Sequence, residues 1–448
     1  MKTPALNNFH FYKILRELSS DSNFYVAYSG GVDSQVLLHI LHSVKLEHPE
    51  INITAIHIDH GLSINSKQWT QYCRELCQRL NIPCLCKSVE VKARLTNKHS
   101  KEALARELRY AAIAELLPEK TILLTAHHAN DQAETLLLQL FRGSGPKGLA
   151  AIPAISSFGK NSKLIRPLLR FSRVEILEYA KLHSLKWIED ESNLDLAIDR
   201  NYVRLKLFPL ITGNWLGALK TIGRSAQNCA EASELLDDLA KEDLLRVQGA
   251  LVNTLSITRL LTLTKIRQRN VIRYWLRDKR LAIPSCSKLN EVLKTILCCS
   301  EDRNPLINWD NVSVRRYKDN LYAMHSLPKH DPNLVLSWDF KSIIELPSQL
   351  GFLSACVSDD LLVSNKGADN ITIRFRVGGE KCRISGRGEH SHLLKHLFQE
   401  WQVPPWLRNR IPLIYSGDEL ICIVGYGVNS GWEGLSIKLM PADPKIIS

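Results

Sequence analysis

No stretch of the 448 residues stays apolar for long enough to cross a bilayer. The first fifteen residues interrupt their apolar positions with Pro4, Asn7, Asn8, His10 and Lys13 and contain no signal-peptide core. A membrane protein is therefore not expected, and the chain reads as a cytoplasmic one. Internal repeats and low-complexity tracts are absent as well. The eleven cysteines are scattered: Cys73 with Cys77, Cys84 with Cys86, and Cys298 beside Cys299 all miss the Cys-x-x-Cys spacing that holds many iron–sulfur clusters. No such cluster is expected. Without a secretory leader the cysteines read as reduced thiols, most of them buried.

What the composition does supply is apolar mass and positive charge. The length exceeds what one core usually serves, and a hydrophobic fraction of 45% can fill two or three. Lysine and arginine outnumber aspartate and glutamate by 58 to 46, a formal net charge of +12. A protein serving only a nucleotide and a small metabolite needs no such excess, whereas a phosphate backbone rewards it through counterion release. Charge alone does not name the partner.

Residues 29 to 34 read Ser-Gly-Gly-Val-Asp-Ser, between an apolar strand candidate, 24–28, and an amphipathic helix candidate, 35–41. That junction makes an anion site. Gly30 and Gly31 permit backbone conformations that let successive N–H groups converge on one ligand, and the helix N-terminus adds partial positive charge. Ser29 and Ser34 add hydroxyl donors, and Asp33 can hold a magnesium ion beside phosphates. Ser29, Gly30, Gly31, Val32, Asp33 and Ser34 are thus the expected binding residues. The Gly-Lys-Ser/Thr ending of the ordinary P-loop is missing, so no lysine reaches toward a terminal phosphate.

Alternation of strand and helix patterns continues to about residue 200: strand 53–58, helix 67–80, strand 85–89, helix 101–117 and strand 121–125. Such a βαβ series predicts an α/β fold with a doubly wound parallel sheet, whose ligands bind beyond the carboxyl ends of the strands. Three polar clusters fall at those ends: the loop itself, Asp59-His60-Gly61, and His127-His128-Ala129-Asn130-Asp131. His127, His128, Asp131 and Glu134 lack the definable geometry of a zinc site. The alternative is a helix cap, with Asn130 or Asp131 accepting N–H groups of a helix over 132–141 and Glu134 in its first turn. The two uses can coexist.

The 29–34 loop resembles the PP-loop of ATP pyrophosphatases, which split ATP between its α- and β-phosphates to adenylate a substrate. Around it, Asp59-His60-Gly61-Leu62, Glu102 to Arg106 with Arg109-Tyr110, Thr125 to His128 with Asp131 to Thr135, Arg142 to Gly145 with Gly148-Leu149, Arg166 to Leu169, Asp190 to Asn193, and Arg200-Asn201 with Arg204 occur in the order found in tRNA(Ile)-lysidine synthetases. The likeness resumes at Gly378-Gly379-Glu380, Gly386-Arg387, Leu394-Lys395, Val403 to Trp406 and Arg410 to Leu413, similar to the C-terminal domain of longer members. One departure is Asn130-Asp131, where the family usually has paired aspartates; Asp131 is expected to matter more.

The resemblance implies a Rossmann-like catalytic domain and two-step modification of the wobble cytidine of the isoleucine tRNA with a CAU anticodon. ATP and Mg²⁺ first adenylate the cytosine O2; free L-lysine then displaces AMP from C2. On that reading Asp33 is metal ligand or proton acceptor, Asp131 orients or deprotonates the lysine amine, and His127 and Arg109 lie near the base or the AMP. For Arg109 a solvated helix cation is the alternative. A homodimer is left open. Rival readings are a tRNA thiolase, a small-molecule amidotransferase or synthetase such as an NAD or GMP synthetase, and a nucleic-acid-binding protein whose nucleotide site is only regulatory.

The expected domains are 1–213 (ATP binding and catalysis), 214–327 (mainly helical, contacting tRNA) and 334–448 (α+β, binding tRNA), with Pro328 and Pro332 in the linker. Helical patterns run over 216–247, 265–279 and 286–298; the second carries seven Lys or Arg side chains between 265 and 280 and an apolar side of Ile266, Val271, Ile272, Trp275 and Leu276. Strands are expected near 312–316, 321–324 and 371–377, and a helix over 391–402. In the last domain Arg374, Arg376, Lys381, Arg383, Arg387, Lys395, Arg408 and Arg410 surround Trp401 and Trp406, with Glu380, Glu389 and Glu400 the acids among them. The cations suit RNA, and the tryptophans read as core.

Overall fold

The computed structural model describes residues 6–59, 61, 63, 65–89, 101–159, 161–300, 303–357, 370–386 and 390–440, with the backbone alone at 101–103 and 357. His60, Leu62, Arg387 and Glu389, singled out above, lie outside the described residues, as do the side chains of Glu102 and Ala103. The chain divides into two compact units, residues 1–235 and 236–448.

In the first unit β1 (Asn23–Ala27), β2 (Asn52–Asp59), β3 (Cys84–Ser88), β4 (Ile122–Leu124), β5 (Ile155–Phe158) and β6 (Ser162–Ile165) form one sheet in the order β3-β2-β1-β4-β6-β5. All pairs are parallel except β5 with β6. The central strands are buried on both faces, which is why they read as continuous apolar runs rather than alternating ones. On one face α1 (Asn8–Leu18), α2 (Val32–Glu47), α3 (Ser66–Arg79) and α7 (Arg173–Leu182) bury Phe11, Leu15, Leu37, Leu41, Cys73, Cys77 and Ile176 against Phe24 and Val26. On the other, α4 (Lys101–Leu116) packs Ala112 and Ile113 against Ile56, Leu123 and Leu164. Burying a side chain of the size of leucine or isoleucine stabilises by about 1.5–3 kcal/mol. The expected strands and helices fall within a few residues of their observed bounds, except that the helix expected over 35–41 runs on to Glu47. The α1 helix, the β5–β6 hairpin and α7 are additions that the sequence patterns do not announce.

Two further helices come after β4: α5 (Ala129–Phe141) and the short α6 (Pro146–Leu149). α5 packs Ala133 and Leu137 against Val203 and Phe208, on the run formed by α8 (Asp199–Tyr202), a wide π turn at Val203–Leu207 and α9 (Phe208–Asn214). That packing sets residues 200–204 beside the first turn of α5.

After α10 (Ala218–Val247), α11 (Ile257–Leu261), α12 (Lys265–Asp278) and α13 (Cys286–Glu291) share a core with an antiparallel sheet ordered β7-β10-β9-β8, namely Leu255–Ser256, Asn320–His325, Val312–Tyr317 and Leu306–Trp309. α12 buries Gln268, Val271, Ile272, Trp275 and Leu276. Ile266, expected on that side, is 71% exposed, because it lies two residues, about 200°, from the stripe that begins at 268. Arg267 donates to Asp243 (Nε to Oδ2, 2.9 Å) and Arg277 pairs with Asp237 (2.6 Å), so two of the helix's cations serve packing. The remainder is strand-rich. Its helix spans only Leu394–Glu400, because His392 and Leu393 pair with Lys381 and Cys382 as strands. Trp401 packs on the local core and stacks on Tyr426 (5.1 Å). All eleven cysteines are free, but Cys73, Cys77, Cys382 and Cys422 alone are buried, which corrects the expectation for most of them. Exposed Cys286, Cys298 and Cys356 sit in a helix, a loop and a strand that turn those positions outward.

Candidate active site

The loop after β1 adopts the geometry its glycines allow. Gly30 has φ +86°, in the left-handed region, and a Cβ there would stand 2.5 Å from Ile188 Cδ1. The Ile188 N–H donates to Gly30 O (2.9 Å), tying the 188–195 segment to the loop. Gly31 precedes the first turn of α2. Ser34 Oγ donates to Gly31 O (2.9 Å) and accepts the Ser29 N–H (3.2 Å), while the Ser29 and Ser34 hydroxyls lie 3.1 Å apart. Both hydroxyls are therefore ordered at the helix N-terminus, where an anion is favoured.

A cavity of about 370 Å³ opens here, at the carboxyl ends of the strands. Ser29, Gly31, Asp33 and Ser34 form one wall, Asp59 follows β2, Arg109 comes from α4, His127 and Asp131 come from the β4–α5 junction, and Asp190 and Asn193 close it from the 188–195 side. Four sequence-predicted residues, Asp33, Asp131, His127 and Arg109, thus meet in one space with the loop. Val32 is buried in the sheet core and is not among the residues that line the cavity.

Asp33 is the group left incomplete. Among the described residues its Oδ1 is buried without a hydrogen-bond partner, and its Oδ2 lies 3.6 Å from His128 Nε2, which is likewise buried and unpartnered among them. His128 is not among the site residues expected from the sequence, yet it is fully buried and caps α5. The expectation that Asn130 or Asp131 caps the helix is corrected: the His128 side chain accepts the Asp131 N–H (Nδ1, 3.4 Å), and Asp131 Oδ2 accepts the His128 N–H (2.9 Å). Reciprocity of this kind satisfies two otherwise orphaned donors. Accepting at Nδ1 leaves the neutral ring's proton on Nε2, facing Asp33 and, at 3.4 Å, Asp131. Asn130 Oδ1 instead accepts the Arg173 N–H (2.9 Å) at the start of α7, a duty an aspartate would fill equally.

Behind Asp131 stands a closed charge network. Arg200 donates to Asp131 Oδ1 (2.6 Å) and Glu134 Oε2 (2.9 Å); Arg204 donates to Glu134 Oε1 (2.7 Å) and Oε2 (3.1 Å) and reaches Asp131 Oδ1 at 3.4 Å. Two carboxylates and two guanidiniums cancel, which is what permits Glu134 to be 1% exposed. Burial alone would raise the Asp131 carboxyl, but His128, Arg200 and His127 outweigh it and hold it at about 2. His127 goes the other way: burial, reinforced by Arg166, Arg106 and Arg200 against the opposing Asp131, pushes its imidazole down to about 3. Its Nδ1 lies 2.9 Å from Thr125 Oγ1. Arg109 stands over the Tyr110 ring (5.6 Å).

Among the described residues no group of three or more His, Cys, Asp or Glu could hold a metal unaided. The bare Asp33 Oδ1 does fit the single-carboxylate share that a Mg²⁺ ion takes when phosphate oxygens and water complete its octahedron.

These two residues set a pH dependence. A folded-state His127 near 3 binds fewer protons than the unfolded chain between about pH 6.5 and 3, so acidification through that window destabilises the first unit, by about 1.4 kcal/mol for each pH step of one. Asp131, depressed from 3.8 to about 2, contributes stability present above 3.8 and lost toward 2. His127→Gln is expected to flatten the loss between pH 6 and 4 in thermal unfolding curves; an unchanged slope would remove His127 as its source.

Similarity to known proteins extends along most of the chain. Residues 6–211 match a family model described as a PP-loop domain, 255–322 a TilS substrate binding domain, and 371–437 a TilS substrate C-terminal domain. A tRNA(Ile)-lysidine synthase of Coxiella burnetii is 42% identical over 96% of both chains. Proteins of the same description from Legionella pneumophila (strain Paris) and Alkalilimnicola ehrlichii are 39% and 38% identical, over 90% and 95% of this chain and 91% and 94% of theirs.

Proposed function

Because the chain belongs to the tRNA(Ile)-lysidine synthase family, we propose that it ligates free L-lysine to C2 of the wobble cytidine in the CAU-anticodon isoleucine tRNA, with ATP converted to AMP and pyrophosphate. The lysidine formed then reads AUA in place of AUG. The observation that carries this reading is the incomplete Asp33 carboxylate, set at the mouth of an ordered PP-loop in the same cavity as His127, Asp131 and Arg109.

In the first step the cytosine O2 attacks the α-phosphorus and the bond to pyrophosphate breaks. Loop N–H groups and the Ser29 and Ser34 hydroxyls hold the phosphates, and Asp33 Oδ1 would hold the magnesium ion, which supplies charge neutralisation for the leaving pyrophosphate. In the second, the lysine ε-nitrogen attacks C2, the C2–O2 bond breaks, AMP leaves with that oxygen, and the nitrogen loses a proton. Asp131, held at about 2, is a weak proton acceptor and serves by orienting the amine. His127 is neutral at physiological pH and lies within reach of the base, while Arg109 answers the AMP phosphate. Residues 1–213 supply this chemistry; 214–327 and 334–448 supply RNA contacts. A tRNA substrate goes with cytoplasmic residence, and among the described residues no helix is long and apolar enough to cross a membrane.

Pyrophosphate release is expected to require tRNA but not lysine, and AMP release to require both. Release driven by lysine in the absence of tRNA would instead indicate a small-molecule synthetase. Asp131→Ala separates the steps: adenylated tRNA should still form while the lysine concentration needed for AMP release rises at least about tenfold, as loss of a charge-assisted contact implies. An equal fall in both steps with unchanged lysine dependence would move Asp131 to the ATP site.

For the RNA, several cations of the last 80 residues are committed internally. Arg374 donates to Gly417 O and covers Tyr415, Arg376 donates to Asn409, and Arg408 to Val403 O and the Tyr317 hydroxyl. Lys381, Arg383 and Lys395 are exposed and are assigned to the phosphate backbone. Charge reversal at Lys381 and Arg383 should raise KM for tRNA more than for ATP or lysine and lower the salt slope of tRNA binding. An unaltered slope would leave recognition to the rest of the chain.

A further inference from the structure

The second unit holds a cavity of about 620 Å³, larger on the same measure than the 370 Å³ beside the PP-loop. Segments 252–254, 279–281, 322–328, 349–350, 407–412 and 424–426 line it, with Leu439 at one side. Leu281, Leu350, Leu407 and Ile411 give it an apolar wall, and Tyr426 adds an aromatic one. Among the described residues that line it there is no aspartate or glutamate, whereas Lys279 and Arg410 both reach it.

The cations bring positive charge to the space. Arg410 donates to two neutral carbonyls, Pro328 O (2.8 Å) and Ser348 O (3.1 Å), which fix the guanidinium without cancelling it. Burial disfavours the charged form of Arg410 and, against the opposing pull of Asp278, that of Lys279, so an anion in the cavity would relieve a cost already present. Tyr322 also lines the cavity, and its hydroxyl is buried with no hydrogen-bond partner among the described residues. Buried donors without acceptors are uncommon in folded chains.

We propose that this cavity is a second nucleotide site, taking one nucleoside monophosphate with its base against the apolar and aromatic wall and its phosphate toward Lys279 and Arg410. Bare inorganic phosphate would leave the apolar wall unused, and a hydrocarbon would deepen the desolvation of both cations without offering them an anion. The space takes a single nucleotide rather than a duplex. Its source is either a free nucleotide, such as the AMP released by ligation, or one unstacked nucleotide of an RNA.

The test uses the full chain with lysine absent, so it does not depend on ligation. Equilibrium dialysis with labelled AMP and CMP counts mononucleotides bound per chain, and a second arm measures tRNA affinity. Lys279→Met removes a cation, and Leu439→Trp, at a position 39% exposed in the native chain, narrows the cavity without changing charge. Thermal midpoints within a degree or two of wild type establish that each variant folds, and Lys279→Arg should restore binding. If the source is a free nucleotide, both variants bind one fewer mononucleotide per chain, or bind it at least about tenfold more weakly. If it is RNA, mononucleotide counts stay equal and the uncharged change, Leu439→Trp, still weakens tRNA binding severalfold. Equal counts together with unchanged tRNA affinity in Leu439→Trp would overturn the proposal.

Discussion

Asp33→Asn is expected to lower tRNA-dependent pyrophosphate release by about a hundredfold or more, the loss of about 3 kcal/mol typical when one preorganised charge-stabilising group is removed. The substitution keeps size and shape, and among the described residues Asp33 holds no partner at Oδ1 and only a 3.6 Å contact to His128 at Oδ2. Stability should therefore change little, and tRNA binding should stay within a few-fold of wild type. Asp33→Ala should behave alike. A variant with near-normal pyrophosphate release would remove Asp33 from the mechanism, and one that loses tRNA binding as well would make the residue a structural one.

The second large effect is on stability. Glu134→Leu deletes the carboxylate that receives three hydrogen bonds from Arg200 and Arg204, leaving both guanidiniums to Asp131, which Arg204 reaches only at 3.4 Å. Breaking a buried pair on one side costs about 3–5 kcal/mol, because the surviving charge keeps its desolvation penalty. For a unit of this size the thermal midpoint should fall by roughly 10 °C. Adding Arg204→Met should recover part of the loss, since it removes a charge the first change stranded. Should the midpoint hold while lysidine formation disappears, Glu134 would belong to substrate binding rather than to the scaffold behind Asp131.

Much of the site is legible in the residues alone. The 29–34 loop can be read because strand, glycines and helix are contiguous, and the chemistry of an anion site follows from backbone geometry within six residues. The cluster after β4 is legible as a place but not as an arrangement. Preferring His127 to its neighbour rests on residue type and family likeness, and nothing local distinguishes two adjacent histidines. The structure buries His128 completely between Asp33 and Asp131 and leaves His127 neutral on the cavity wall. A usable signal does exist: Asp131 and Glu134 are three apart and Arg200 and Arg204 four apart, spacings that put each pair on one helix face and mark the two faces as complementary.

The sequence by itself determined the strand and helix alternation, hence the parallel sheet, and the position of the anion-binding loop at its carboxyl edge, because periodicity and glycine conformation act over a few residues. Tertiary structure alone decided which acid stays incomplete and which is neutralised. The hydrogen bonds that settle it join residues 66 to 73 positions apart. They form only because α5 and the run from α8 to α9 bury their apolar sides together, which no local pattern encodes.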